Sequence, residues 1–175
     1  MRQKCGGLLT KVSIVMYTLE AILGRETTLL NATDGFSNVK LVPLPQDIYM
    51  IPMVGVLLQE LEIRYQGGTK VTHPEVQQFS KSLFHPTFER LIFGVDQFAR
   101  HLSRHGLVAY VEATFMGGYG GHATMLWEHE ERLEPPGDNI NTILKLLGVV
   151  CTKGDEFDTI SLGRYRSTKQ WIQHK

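Results

Sequence analysis

The residues whose type and spacing come closest to a chemical site are two glutamates in the second half of the chain. Glu112 and Glu128 flank the segment Gly117-Gly118-Tyr119-Gly120-Gly121, and paired carboxylates can do acid–base work or hold a divalent cation. Their separation depends on how the flanking runs pair. Taking the five glycine-rich residues as a symmetric hairpin loop sets Phe115 opposite Ala123, Ala113 opposite Met125 and Val111 opposite Trp127. Because side chains alternate across a strand, this register gathers Tyr110, Glu112, Thr114, His122, Thr124 and Glu128 on one mixed face, with Val108, Met116 and Leu126, and leaves the other face apolar. A small metal-dependent hydrolase using Glu112 and Glu128 is therefore one reading. A second takes the mixed face as a protein-binding surface built from Tyr110, Glu112, Thr114, Thr124 and Glu128. In that reading Glu130 and Glu131, in the acidic run after the strand, steer a basic partner. The plainer account of the same residues is a solvated Glu112, or one paired with an arginine of a neighbouring helix, and a solvated turn at 128–134.

Other candidates carry less. The glycine-rich segment lacks a Gly-Lys-Ser/Thr ending and GxGxxG spacing, and a strand follows it, so no helix N-terminus faces an anion there. His101 and His105 are four apart, as in a helical zinc pair, but Leu102 stands where a zinc protease places glutamate, and Arg100 and Arg104 oppose a cation. His122 and His129 fall on opposite faces of one strand. Cys5 and Cys151 sit in no nucleophile or Cys-x-x-Cys motif, and no Gly-x-Ser-x-Gly elbow occurs. No catalytic residue, metal ligand or cofactor is thus expected. Arg164, Arg166, Lys169 and Lys175, with Tyr165 and Trp171 nearby, fit a nucleic-acid-binding module or an internal partner for the acidic run.

The elements that must position these residues are legible to different degrees. Residues 11–23 fit either a strand or a helical stripe, and the β-branched start favours the strand. Val39 to Leu44 reads as a strand whose Pro43 and Pro45 suit an edge. Pro52 can open a helix burying Leu57, Leu58 and Leu61, with Val54 and Tyr65 on its stripe, that ends at Gly67-Gly68. Thr72-His73-Pro74-Glu75 has the pattern of a capping box before a helix carrying Val76, Phe79, Leu83 and Phe84. A further helix after His85-Pro86 places Phe88, Leu91, Ile92, Val95, Ala99 and Leu102 on one face and stops at Gly106. After the hairpin, Asp138 or Asn139 caps a helix with Ile140, Ile143, Leu144 and Leu147. Val149 to Cys151 suggests a short strand. Asp155 to Asp158 opens a helical turn, and Ser167 caps a last turn with Trp171 and Ile172.

The whole is expected to be a single α+β domain over 1–175, an antiparallel sheet with a glycine-loop hairpin packed against several amphipathic helices. A chain of 175 residues with 42% apolar and 21% charged content has the composition of a globular protein with one core. Eighteen basic and eighteen acidic side chains cancel, so no global field favours polyanions or an acidic membrane. Two cysteines, no membrane span and no secretory signal make the cytoplasm the expected compartment.

The run Val108 to Phe115, the Gly-Gly loop, Leu126-Trp127, the helix from Asn141 to Val149, and Asp155-Glu156-Phe157 through Leu162-Gly163-Arg164-Tyr165-Arg166-Ser167 resemble a group of small bacterial proteins. Some of these are similar to immunity proteins of contact-dependent or polymorphic toxin systems. The resemblance covers the last seventy residues or so and carries no site residues with it. It implies a cytoplasmic protein that binds and blocks a cognate toxin without chemistry of its own. An acidic nuclease inhibitor would depart from this chain's zero charge.

Overall fold

The computed structural model describes residues 16–66, 88, 91–116, 119–134 and 139–173. Its centre is an antiparallel sheet of β1 (Met16–Arg25), β2 (Val42–Leu44), β3 (Ile48–Pro52), β4 (Val108–Met116), β5 (Tyr119–Glu128) and β6 (Glu131–Leu133), in the spatial order β2-β3-β1-β4-β5-β6. The helices are α1 (Glu26–Leu30), α2 (Gly55–Gln66), α3 (Phe93–Leu102), α4 (Ile140–Leu146), α5 (Glu156–Thr159) and α6 (Gln170–Gln173), with 3-10 turns at Ser103–His105 and Leu162–Arg164. This is the expected α+β class, a sheet packed against helices.

The middle of the sheet is buried on both faces. On one, Leu19, Ala21, Leu23, Ala109, Val111 and Leu126 pack with Ile143 and Leu144 of α4, Ile160 and Trp171. On the other, Ile22, Val108, Tyr110, Met125 and Trp127 pack with Leu57 and Leu61 of α2 and Val95, Phe98 and Leu102 of α3. A strand buried on both faces reads as a nearly continuous apolar run, which is why β1 and β4 look so oily in sequence. Helices α2 and α3 approach closely because Gly94 has no side chain; a Cβ there would lie 2.9 Å from the Leu61 carbonyl.

The strand half of the ambiguity at the N-terminal end is realised as β1, and β2 is an edge strand with Pro43 in it. Several expectations are corrected. The hairpin register is Ala113 with His122, Phe115 with Gly120 and Met116 with Tyr119, so Tyr119 to Gly121 belong to β5 rather than to a loop. Pro52 ends β3 instead of opening α2. Strands β3 and β6 were not expected, and residues 149–151 form no strand. The capping-box helix, and residues 117–118 of the glycine segment, lie outside the described residues.

The C-terminal segment closes the face that carries α4. Asn139 caps α4 through Asn141 N at 2.8 Å, and Asp155 caps α5 through Asp158 N at 2.9 Å while its other oxygen accepts from Asn141 Nδ2. Residues 166–168 then run beside the half of β1 that β3 does not cover. Thr18 N donates to the Arg166 carbonyl at 2.9 Å, and Glu20 N to Thr168 Oγ1 at 2.9 Å. The Tyr17 hydroxyl donates to the Leu162 carbonyl at 3.1 Å; burial pushes this phenol well above its usual range. Among the described residues, no helix is long and apolar enough to cross a membrane.

Candidate functional site

The observed register disperses the residues expected to form one face. A shift by an odd number of residues turns one strand over relative to its neighbour. With Glu112 opposite Ala123 and Val111 opposite Thr124, Tyr110, Glu112 and Thr114 project to the side of α2 and α3, whereas Thr124 and Glu128 share the parity of Leu126 on the other side. Tyr110, Glu112 and Thr124 are buried, Glu128 is half-buried, and Thr114, Glu130 and Glu131 are exposed. The open mixed face therefore does not exist, and Glu112 and Glu128 cannot share a cation. The residue across from Glu112 is Glu20 of β1, which the sequence pattern did not single out. The Tyr110 hydroxyl donates to Glu112 Oε1 at 2.7 Å, so part of the hydrogen-bonding capacity of that carboxylate is spent inside the fold. Among the described residues, no group of three or more His, Cys, Asp or Glu side chains is arranged to hold a metal ion.

Among the described residues, the acidic turn is held by cations of α3 and of the 3-10 turn that follows it rather than by the C-terminal arginines. His129 and Glu130 adopt positive φ of 51° and 66° to bring β6 back along β5. The turn docks on the end of α3: Ser103 Oγ accepts from Glu130 N at 2.9 Å, Arg100 Nη1 donates to the Glu130 carbonyl at 2.7 Å, and Arg104 Nε donates to Glu130 Oε1 at 2.6 Å. Beneath it lies Asp96, only 3% exposed. It accepts from Trp127 Nε1 at 3.1 Å, from Arg100 Nε at 2.9 Å and from the Arg132 guanidinium. Burial opposes ionisation of Asp96, but the hydrogen bonds and charges of Arg132 and Arg100 prevail and hold its carboxyl below the usual range. His101 is half-buried, with Nε2 3.1 Å from the Ala32 carbonyl. Burial, then the nearby Arg104, lowers its pKa, while His105 is exposed.

At the opposite edge of the sheet the arrangement is open. Residues 40–45, through β2, face the stretch from Asp158 to Ile172 across a cavity of about 920 Å³. Its walls include Leu41, Pro43, Ile160 and Ile172, with Lys40 and Arg164 among the charged lining residues. Tyr165 meets Trp171 edge-on at 4.8 Å, which fixes the indole against the floor. Trp171 is 5% exposed, and its Nε1 has no hydrogen-bond acceptor among the described residues. Neither Lys40 nor Arg164 makes an ion pair among those residues; the Arg164 guanidinium stands 5.3 Å from the Tyr165 ring centre. Arg166 and Lys169 are exposed nearby. Sequence reading marked Arg164, Tyr165 and Trp171 but missed that β2 lies across from them. The available signal was the pair of prolines that made β2 an edge.

A second hollow, of about 520 Å³, includes Ser37, Asn38, Glu60 and Arg64. Its polar groups already serve the loop after α1: Glu60 accepts from Ser37 N, Asn38 N and Asn38 Nδ2 at 2.8–2.9 Å, and Arg64 Nη1 donates to the Gly35 carbonyl at 2.7 Å. Comparison of the sequence with protein-family models, with curated proteins and with solved structures finds no match.

Proposed function

We propose that this chain is a protein-binding module that holds a segment of a partner in the groove between β2 and the C-terminal stretch. This fits the role implied by the resemblance to immunity proteins, in which the molecule acts by occupying a toxin. The observation that carries the reading is the groove of about 920 Å³ with an apolar wall and with Lys40 and Arg164, which make no ion pair among the described residues, in its lining. Concave, mostly apolar sites with a few polar groups are where ligands and partner anchors seat. The buried hairpin carboxylates and the compensated acidic turn offer a partner much less.

The test is an affinity pull-down from the native organism followed by mass spectrometry, run with the wild type and with Ile172→Glu. Ile172 is 37% exposed and lines the groove, so a charge there leaves folding intact while spoiling the apolar wall. A stoichiometric protein retained by the wild type and lost from Ile172→Glu supports the reading, most directly if a neighbouring toxin-like gene encodes it. Equal retention by both proteins moves the binding site away from the groove.

A further inference from the structure

The lining of the groove also indicates what kind of segment it takes, an inference that rests on the protein-binding reading above. We infer that the groove recognises an acidic, apolar segment of a partner protein, with carboxylates at Lys40 and Arg164 and apolar side chains against Pro43 and Ile172.

Three observations lead there. The first is charge. Lys40 and Arg164 outnumber Asp158 in the lining, and the adjoining stretch from Arg164 to Lys169 holds three cations and no acid. Elsewhere in the fold the arginines at a charged cluster are already neutralised, as Arg100 is at Asp96 and Arg104 at Glu130. The groove cations have no such partner among the described residues, and complementary charge is what selects a partner and speeds its encounter.

The second is the indole. Tryptophan Nε1 is a donor only, and a buried donor without an acceptor is a standing cost. The other tryptophan of the chain, Trp127, meets this requirement within the fold by donating to Asp96 at 3.1 Å. Trp171 does not, but its nitrogen is sealed from solvent, so the indole serves the groove as a buried apolar support, and the side chains that an incoming segment can meet are the exposed Pro43 and Ile172.

The third is the edge strand itself. Pro43 has no N–H, and Pro45 follows it just beyond β2, so this edge is a poor template for adding another strand. Recognition must then come from side chains rather than from a continued ladder, which suits a short anchoring segment with distinct apolar and acidic positions.

Fluorescence anisotropy with three labelled synthetic peptides tests this: one of leucine and glutamate, one of leucine and lysine, and one of serine and glutamate. The wild type is expected to bind the leucine–glutamate peptide at least about tenfold more tightly than either other peptide, a free-energy difference of about 1.4 kcal/mol. The double variant Lys40→Glu, Arg164→Glu should lose that preference. Equal binding of the leucine–lysine peptide, or an unaltered preference in the double variant, overturns the inference. Binding of the serine–glutamate peptide as tightly as leucine–glutamate also overturns it, since the groove would then be a general polyanion site of the kind that binds nucleic acid. If no peptide binds but the pull-down partner still depends on Ile172, the acidic-segment inference fails while the protein-binding reading stands.

Discussion

The two edges of the sheet use similar residues to opposite ends. At the β6 edge, arginines and carboxylates are brought together by a tight turn and the end of α3, and each finds a partner: Asp96 with Arg100 and Arg132, Glu130 with Arg104. At the β2 edge, Lys40 and Arg164 line a cavity, and a tryptophan N–H among them has no acceptor in the described residues. Clustering of charge in the sequence therefore marks the less available edge. An acidic run with arginines close in space is a means of fastening a hairpin, whereas the dispersed cations of the other edge retain their capacity for an outside group.

The largest expected effect comes from breaking the fastened edge at its centre. Asp96→Ala would remove the carboxylate that the Arg132 side chain, 6% exposed, meets in the interior, and would also strip the Trp127 indole of its acceptor. Removing one member of a buried, hydrogen-bonded pair typically costs about 3–5 kcal/mol, measurable as a lowered urea midpoint. The pH dependence follows from the direction of the shift. The folded carboxyl of Asp96 titrates below its unfolded value, so its contribution is complete above the usual aspartate range near ~3.9 and is lost as pH falls through that range to the folded value. In Asp96→Asn this part of the acid sensitivity should be absent. A wild type and variant with parallel stability–pH curves would show that the β6 edge is not held by this charge.

A smaller effect is expected where the open edge is anchored. Arg25 Nη1 donates to the Gln46 carbonyl at 2.7 Å and its Nη2 to the Gly148 carbonyl at 3.0 Å, while the Gln46 side chain pairs with both backbone groups of Val150 at 2.8 Å. These contacts tie the β2–β3 loop to the stretch after α4. Gly148 has φ of +83°, and a Cβ there would lie 2.3 Å from Arg25 Nη2. Gly148→Ala therefore adds left-handed strain and displaces the guanidinium, at a cost of about 1–3 kcal/mol. Thermal unfolding should register that loss. Partner binding should weaken with it, because the loop that follows β2 loses its tether; full stability in the variant would show that the tether carries no weight.

The same contacts explain what could and could not be read in advance. The periodic elements were legible: the apolar runs of β1, β4 and β5, the Leu57-Leu58-Leu61 face of α2, and the caps Asn139 and Asp155. Each depends on neighbours a few residues away. The β2–β3 connection was not, because Gln46 and Asp47 take positive φ of 62° and 57° without being glycine, in a loop whose tethers lie at Arg25, Gly148 and Val150. The β5–β6 turn at His129-Glu130 hides in the same way behind Ser103, Arg100 and Arg104. The hairpin register failed for a related reason. Four glycines in five residues allow several loops, and the choice is made by which side chains fit the two cores. An odd slip then reassigns the side chains of β5 to the other face relative to β4, so Glu112 lost Glu128, while its neighbour Glu20 comes from the separate pairing of β1 with β4. The groove joins segments more than a hundred residues apart and had no local signature beyond its prolines.

The smallest structural effect gives the most direct discrimination between the two edges. Glu130 and Arg104 are about half exposed, at 50% and 53%, and an exposed pair of this kind contributes at most about 1 kcal/mol and is screened by salt. Glu130→Lys should therefore lower the melting temperature slightly, with the difference shrinking at high salt, and Glu131→Lys should change it less. Neither should alter retention of the partner if the site is the groove. Loss of the partner from Glu130→Lys or Glu131→Lys, with Ile172→Glu still binding, would instead locate recognition at the acidic turn. The fastened edge would then be the working surface, its internal salt bridge exchanged for one with the partner on contact.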